Sequence, residues 1–410
     1  MLITRALASA GVAAAYCTDQ RAIQKGAPVD GLFVGGDPVL DGFRSPREVP
    51  EAICLQLVLD DGQVAIGDGT GVSFPGRAGV DPPVRALEQI RLFNELVVSH
   101  LLGVEFRSFR DASNIIDRIV VDDKPLPSAL RWGISTALLD AMALARHVTK
   151  AEVLASEWGT SVSATRPAFL AQSSQDWEIS LDRAIMRRID VYHRSSHNHR
   201  MWLDHPRALS LIKARLARHA PDHRMDVQLD LNGFAGREFN FSVDRIVSYM
   251  SELQELVLPS KMIYASPVEM ADRDTQAAAM SDIRRAMQRT GLPSELIADY
   301  HCASVADHEV FARLGAADYH MIHAPTIGSV KDCMDLLVDL QGFGVKRYLA
   351  GTATSTEVSG LTIAHMAAAC TPDLLALTPG PGVDTAHSIT VNELSRIAVL
   401  AGIDRNSADR

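Results

Sequence analysis

Met225-Asp226-Val227-Gln228-Leu229-Asp230-Leu231-Asn232-Gly233 is a short apolar run that closes on a polar cluster. A run of that length suits a strand better than a helix, and the Asn-Gly pair marks its end. From Val243 to Leu256 the apolar residues then recur at helical spacing. The same strand, loop, helix unit repeats on both sides of it. Pro167 to Ala171 leads to Gln172, Lys261 to Tyr264 leads to Ala265, and Glu295 to Ala298 leads to Asp299. Tyr319 to Ile322 leads to His323, Val345 to Leu349 leads to the Gly351-Thr352 loop, and another clear helix covers Thr275 to Gln288. These six runs predict an α/β fold: a parallel TIM (β/α) barrel whose chemistry sits at the C-terminal strand ends.

The chain before residue 160 has a different rhythm. Ile53 to Leu59, the Asp60-Asp61-Gly62 turn and Gln63 to Ile66 read as a hairpin. Helical spacing follows over Val84 to Leu102 and over Leu130 to Ala145, which predicts a small α+β domain. The expected organisation is an α+β domain over 1–160, the barrel over 161–390 and a last helix over 391–410. The small apolar run Ala6 to Tyr16 is poor in Leu, Ile and Phe and is followed by Asp19-Gln20-Arg21, so it reads as a first strand and not as a targeting segment.

Composition narrows the function. The 410 residues carry 40 Lys plus Arg against 50 Asp plus Glu, a net charge of −10, with 47% hydrophobic residues. An acidic surface without a cationic run argues against nucleic acid as a partner. No stretch of 18 apolar residues is present, so no membrane span is expected. Five scattered cysteines without a C-x-x-C pair predict reduced thiols in a cytoplasmic protein.

Side chains two apart on a strand share a face, so Gln228 goes with Asp230, Asp299 with His301, and Met321 with His323. Aspartates on two strand ends can hold a divalent cation through oxygen, and they can equally cap the helices that follow. His301 and His323 each follow an apolar run, where a histidine is a general base, a metal ligand or a hydrogen-bonded core residue. His193, His197, His199 and His205 sit among Arg, Ser and Asn without an apolar period, and most of that group is expected on a solvated loop face.

Several segments taken in order resemble the methylaspartate ammonia-lyase family of the enolase superfamily. They are Asp19-Gln20-Arg21-Ala22-Ile23-Gln24-Lys25-Gly26, Leu57 to Ala65, Arg131-Trp132-Gly133-Ile134, Ala171-Gln172-Ser173, Gly351-Thr352 and Pro379-Gly380-Pro381-Gly382-Val383-Asp384. The resemblance implies a capping domain on the barrel, a homodimer, and a small amino acid or carboxylate as substrate. It also implies magnesium, held by three carboxylates, that stabilises the enolate formed when a base removes a proton next to a carboxylate, after which ammonia leaves.

Residue by residue, Asp230 matches the first metal carboxylate and Asp299 the third. Ala265 stands where the second, a Glu, is expected, with Glu269 four residues on. The divalent metal is therefore expected to be weakened or replaced, or to draw on His301 and His323 as further ligands, a mixed set suited to zinc, manganese or iron. Met321 and His323 replace the Gln and the catalytic Lys of the family's Gln-x-Lys strand, leaving His323 as the expected base. His193 lies within one position of the family's opposite-face histidine, with Arg194 in strict register. Gln172 and Thr352 match carboxylate-binding residues, and Ala353 replaces a Cys. Three readings follow: a lyase-like carbon-acid enzyme, an isomerase or epimerase working through His323 and His193, and a catalytically silent ligand- or partner-binding homologue.

Overall fold

The computed structural model describes residues 1–403 apart from 175 and 381, so Pro381 and the end of the expected last helix lie outside the described residues. The first strand, β1 (Ile3–Val12), pairs antiparallel with β2 (Glu51–Leu59), and β2 with β3 (Val64–Thr70) through the expected hairpin. Gly62 supplies the positive φ, +86°, that the turn needs. The helix α1 (Ser128–Arg146) lies across this sheet with Leu130, Ile134, Leu138 and Leu139 buried, the apolar stripe read from the sequence. The helical run expected from Val84 to Leu102 contains a π-helical turn, Phe93–Val97, between α-helical pieces.

Eight parallel strands then close a barrel: β4 (Ala168–Gln172), β5 (Val191–Ser195), β6 (Asp226–Asp230), β7 (Met262–Ala265), β8 (Glu295–Ala298), β9 (Tyr319–His323), β10 (Lys346–Ala350) and β11 (Leu374–Ala376). Each strand pairs with the next, and β11 pairs back to β4. The interior holds Leu170, Val191, Ile263, Ala265, Ile297, Tyr319, Tyr348, Ala350, Leu374 and Ala376. The parity of those residues fixes which strand-end side chains face inward.

Two of these strands escape the sequence reading. β11 has three residues, too few to show a period. β5 carries Tyr192, His193, Arg194 and Ser195, yet four of its five residues are buried, with the helix layer covering Arg194 and the loop after β6 partnering Ser195. Arg194 lies 4.0 Å over the Trp177 ring, and Ser195 Oγ accepts a hydrogen bond from Asn232 at 2.8 Å.

Around the barrel run α2 (Val243–Val257), which buries Ile246, Val247, Met250 and Leu253, α3 (Arg273–Thr290), α4 (Val305–Arg313) and α5 (Glu357–Cys370). The last helix, α6 (Val383–Leu400), begins eight residues before the expected 391. It packs on α5, where His365 Nε2 meets Glu393 at 3.0 Å. All five cysteines are unpaired, and among the described residues no helix is long and apolar enough to cross a membrane.

Between α4 and β9, His308 and His320 bring their Nδ1 atoms to 3.3 Å in a fully buried site. Burial pushes His308 down to about 4 and His320 to about 3, from an ordinary value of 6.5. The unfolded chain therefore binds more protons than the folded one as pH falls from 6.5 towards 4, and stability is lost in that window. Each histidine contributes at most about 1.4 kcal/mol per pH unit. Urea unfolding at pH 6.5 and pH 5 is expected to give a smaller stability difference for the His308→Leu/His320→Leu double variant than for the parent. An unchanged difference would refute this assignment.

Candidate active site

A cavity of about 270 Å³ opens at the C-terminal end of the barrel, roofed by the loop that follows β3. Gln172, His193, Asp230, Asp299, His301, Met321, His323, Thr352 and Ala353 all line it. From above it is closed by Ser73, Phe74, Arg77, Ala78 and Val80 of the small domain.

Asp230 ends β6, where its Oδ1 accepts the Asn232 backbone N–H at 2.9 Å. Asn232 (φ +43°) in turn accepts from Gln20 Nε2 at 2.7 Å, so the first domain braces the turn behind this carboxylate. Burial, then the neighbouring Asp299 charge, pushes Asp230 up to about 7. Asp299 is raised as well, chiefly by burial, while Arg77 opposes the rise.

Ala265 ends β7, in register with Asp230 on one side and Ile297 on the other, and offers no donor. Glu269 does not fold back to replace it. Its Oε1 meets Arg77 at 3.1 Å and its Oε2 meets Arg237 at 3.2 Å, in a site 5% exposed.

His301 lines the cavity with Asp299, as expected, but from beyond the strand. The strand ends at Ala298 and His301 has φ +63°, so strand parity does not set its direction. Its Nε2 lies 3.2 Å from the Met270 carbonyl oxygen. Among the described residues, no three His, Cys, Asp or Glu side chains come together as a metal-holding group. The donor set thus consists of two carboxylates, a methyl group where a third would be, and an arginine above them. It does not fit a three-carboxylate magnesium site, nor the mixed set with His301 and His323.

His323 and Met321 do share a face on β9, and Met321 packs on the barrel interior. His323 Nδ1 is 2.8 Å from Thr326 Oγ1, and burial pushes its imidazole down to about 4. On the far wall His193 ends up inward on β5, in register with Gln172 and Gln228, while Arg194 points out into the helix layer. The second and sixth strands of an eight-stranded barrel are diametrically opposed, so the two histidines face each other across the cavity. Burial, then Arg194, pushes His193 down to about 4. Thr352 Oγ1 contacts Thr354 Oγ1 at 3.0 Å, and Thr354 donates to the Gly71 carbonyl at 2.7 Å, tying this strand end to the roof. Gln172 is packed against Gly380, where an added Cβ would come within 3.0 Å of its Oε1.

The solvated-loop reading of the histidine cluster fails for most of its members. His205 is 2% exposed, held between Ser196 Oγ at 2.5 Å and Tyr249 OH at 2.9 Å. His197 lines the cavity with its ring centroid 5.1 Å from that of Phe74, and His199 is exposed. Sequence reasoning missed His197 and Arg77 as pocket residues. The available signal was a Pro/Gly-rich loop, Pro75-Gly76-Arg77-Ala78-Gly79, carrying one cation directly after a strand.

A capping α+β domain on a closed (β/α)8 barrel, with acidic and basic side chains meeting at the strand ends, is the enolase-superfamily architecture. An L-Ala-D/L-Glu epimerase from Bacillus subtilis shares this fold at 13% identity, with a TM-score of 0.66 over 92% of this chain and 90% of that one. The family model for the methylaspartate ammonia-lyase N-terminus matches residues 1–159, and that for its C-terminus matches 161–402. The chain belongs to the methylaspartate ammonia-lyase family. It is 32% identical to methylaspartate ammonia-lyase 2 of Carboxydothermus hydrogenoformans, with 98% of each chain covered. Among solved structures, the magnesium complex of β-methylaspartase from Clostridium tetanomorphum is 30% identical with a TM-score of 0.88, covering 98% of this chain and 99% of that one. The Citrobacter amalonaticus enzyme containing (2S,3S)-3-methylaspartic acid is 29% identical with a TM-score of 0.92, covering 98% and 100%.

Proposed function

We propose that this protein is a carbon–nitrogen lyase-like enzyme that removes a proton next to a carboxylate of a small amino acid or carboxylic acid. The observation that carries the reading is the placement of two imidazoles on opposed walls of one cavity, with a carboxylate-binding Gln and Thr between them. In the tautomer whose Nδ1–H donates to Thr326 Oγ1, His323 keeps the Nε2 lone pair free to accept a proton. The C–H electron pair then moves onto the carboxylate as the proton goes to Nε2. In a lyase, the electrons return to form the C=C bond while the C–N bond of the substrate's ammonium group breaks, and the C–N pair leaves as the lone pair of ammonia.

Burial keeps both imidazoles neutral at pH 7, but it also makes them weak bases, and a carboxylate bound alongside raises their basicity. Gln172 and Thr352 hold that carboxylate, while Met321 and Ala353 give the pocket an apolar wall. Asp230 and Asp299 remain as acidic anchors, the family's second ligand position is Ala265, and a divalent cation is weakened or replaced here. A homodimer in the cytoplasm belongs to the same proposal.

The opposed histidines also favour a second outcome, epimerisation, in which one removes the proton and the other returns it to the opposite face. Incubating the protein with (2S,3S)-3-methylaspartate and other amino acids in heavy water tests both. Ammonia release with deuterium uptake at carbon supports the lyase, and uptake with inversion but no ammonia supports the epimerase. Uptake by neither route, from protein whose folding is checked by circular dichroism, would leave a ligand-binding homologue.

A further inference from the structure

Arg77 is the cavity's one unambiguous cation among the described lining residues. It comes from the small domain, not the barrel, and its side chain is 16% exposed. Its guanidinium carbon lies 5.3 Å from the centroid of the Phe74 ring and 5.5 Å from that of the Tyr300 ring, so two aromatic faces fix its plane. Nη1 donates to Glu269 at 3.1 Å, while Nε and Nη2 have no acceptor among the described residues. Glu269 is itself shared with Arg237, which donates to the Asn232 carbonyl at 2.8 Å. The anchor is thus held on several sides, its two guanidiniums sharing one carboxylate, and two donors of Arg77 are left over.

In the same cavity, Nδ1 of His193 and Nδ1 of His197 are both shielded from solvent and unpartnered among the described residues. Unpaired buried polar atoms are costly, and their presence in one cavity with spare guanidinium donors points to an absent anionic group. Below lie Asp230 and Asp299, with the Ala265 methyl between their strands. A fixed guanidinium above this point opposes the pull of these two aspartates on a dication and offers a carboxylate its own attraction.

We propose that Arg77 supplies the positive charge of this pocket, binding a carboxylate of the substrate directly and stabilising its deprotonated form, so that the site takes a dicarboxylate without a divalent metal. This rests on the carbon-acid reading above. A planar guanidinium suits that task, since it pairs with carboxylate oxygens through parallel N–H donors.

The test is calorimetric titration with 2-methylsuccinate, a dicarboxylate without a leaving group, in EDTA and in magnesium chloride. The parent is expected to bind equally well in both. Arg77→Gln is expected to bind roughly 10- to 100-fold more weakly in EDTA, the loss of one charge-assisted contact. Since that change leaves Glu269 with one partner fewer, Arg77→Gln/Glu269→Gln is the companion variant, which removes both charges and should show the same loss. Binding only with magnesium, unchanged binding in both variants, or no binding by the parent in either condition would overturn the proposal.

Failure of the underlying reading looks different. If 2-methylsuccinate binds through Arg77 without metal but no compound exchanges deuterium, the carbon-acid reading falls and the Arg77 assignment stands. If exchange occurs, requires magnesium and is indifferent to Arg77, the reverse holds.

Discussion

Replacing His323 by Ala is expected to lower deuterium uptake at the carbon next to the carboxylate by roughly 10²- to 10⁴-fold, the usual worth of a positioned general base. Affinity for 2-methylsuccinate should change little, because the carboxylate contacts assigned to Gln172, Thr352 and Arg77 remain. The split between rate and affinity distinguishes a base from a residue that merely shapes the pocket. The pH profile gives an independent check. An ordinary histidine base would lose activity as pH falls below about 6.5. With His323 pushed down to about 4, its neutral, proton-accepting form persists at lower pH, and the acid limb of kcat/KM attributable to it should lie near pH 4. A variant that keeps its exchange rate, or that loses affinity and rate together, would remove His323 from the base's role.

The second large effect concerns the scaffold. Gly69 of β3 runs so close to α1 that a Cβ would stand 2.1 Å from the Ala129 carbonyl oxygen and 2.7 Å from Ile53 Cγ2. Both obstacles are fixed, one by the helix backbone and one by the sheet. Gly133 on the helix reciprocates, with an added Cβ at 2.8 Å from the Gly69 nitrogen. Gly69→Val is therefore expected to cost about 3 kcal/mol or more, the upper range for overpacking a core. Gly342→Ala, where nothing lies within 4 Å, should fall within about 0.5 kcal/mol of the parent. Urea denaturation of the two variants checks this, and equal midpoints would refute direct contact between the sheet and helix backbones.

The barrel was legible where strands are apolar and long enough to show their limits, as in Met225 to Asp230. It was not legible at β5, where a buried Arg194 and Ser195 look like surface residues until Trp177 and Asn232 cover them. That one missed strand is also why His193 read as a loop residue. Strand parity sends Asp230, Met321 and His323 inward, and all three line one cavity. His301 lines that cavity as well, but from a turn of positive φ beyond the strand, where parity gives no direction. Arg77 was beyond local reading altogether. Its partners Glu269 and Tyr300 come from distant barrel loops, and the domain contact that joins them leaves no periodic trace.

The most direct measurement of the central claim is a crystal structure of the protein with (2S,3S)-3-methylaspartate or 2-methylsuccinate bound. The account expects a carboxylate on Gln172, Thr352 and Arg77, and the adjacent carbon at a reactive distance of roughly 3–3.5 Å from His323 Nε2. A ligand seated in this cavity with that carbon turned away from both His323 and His193 would contradict it.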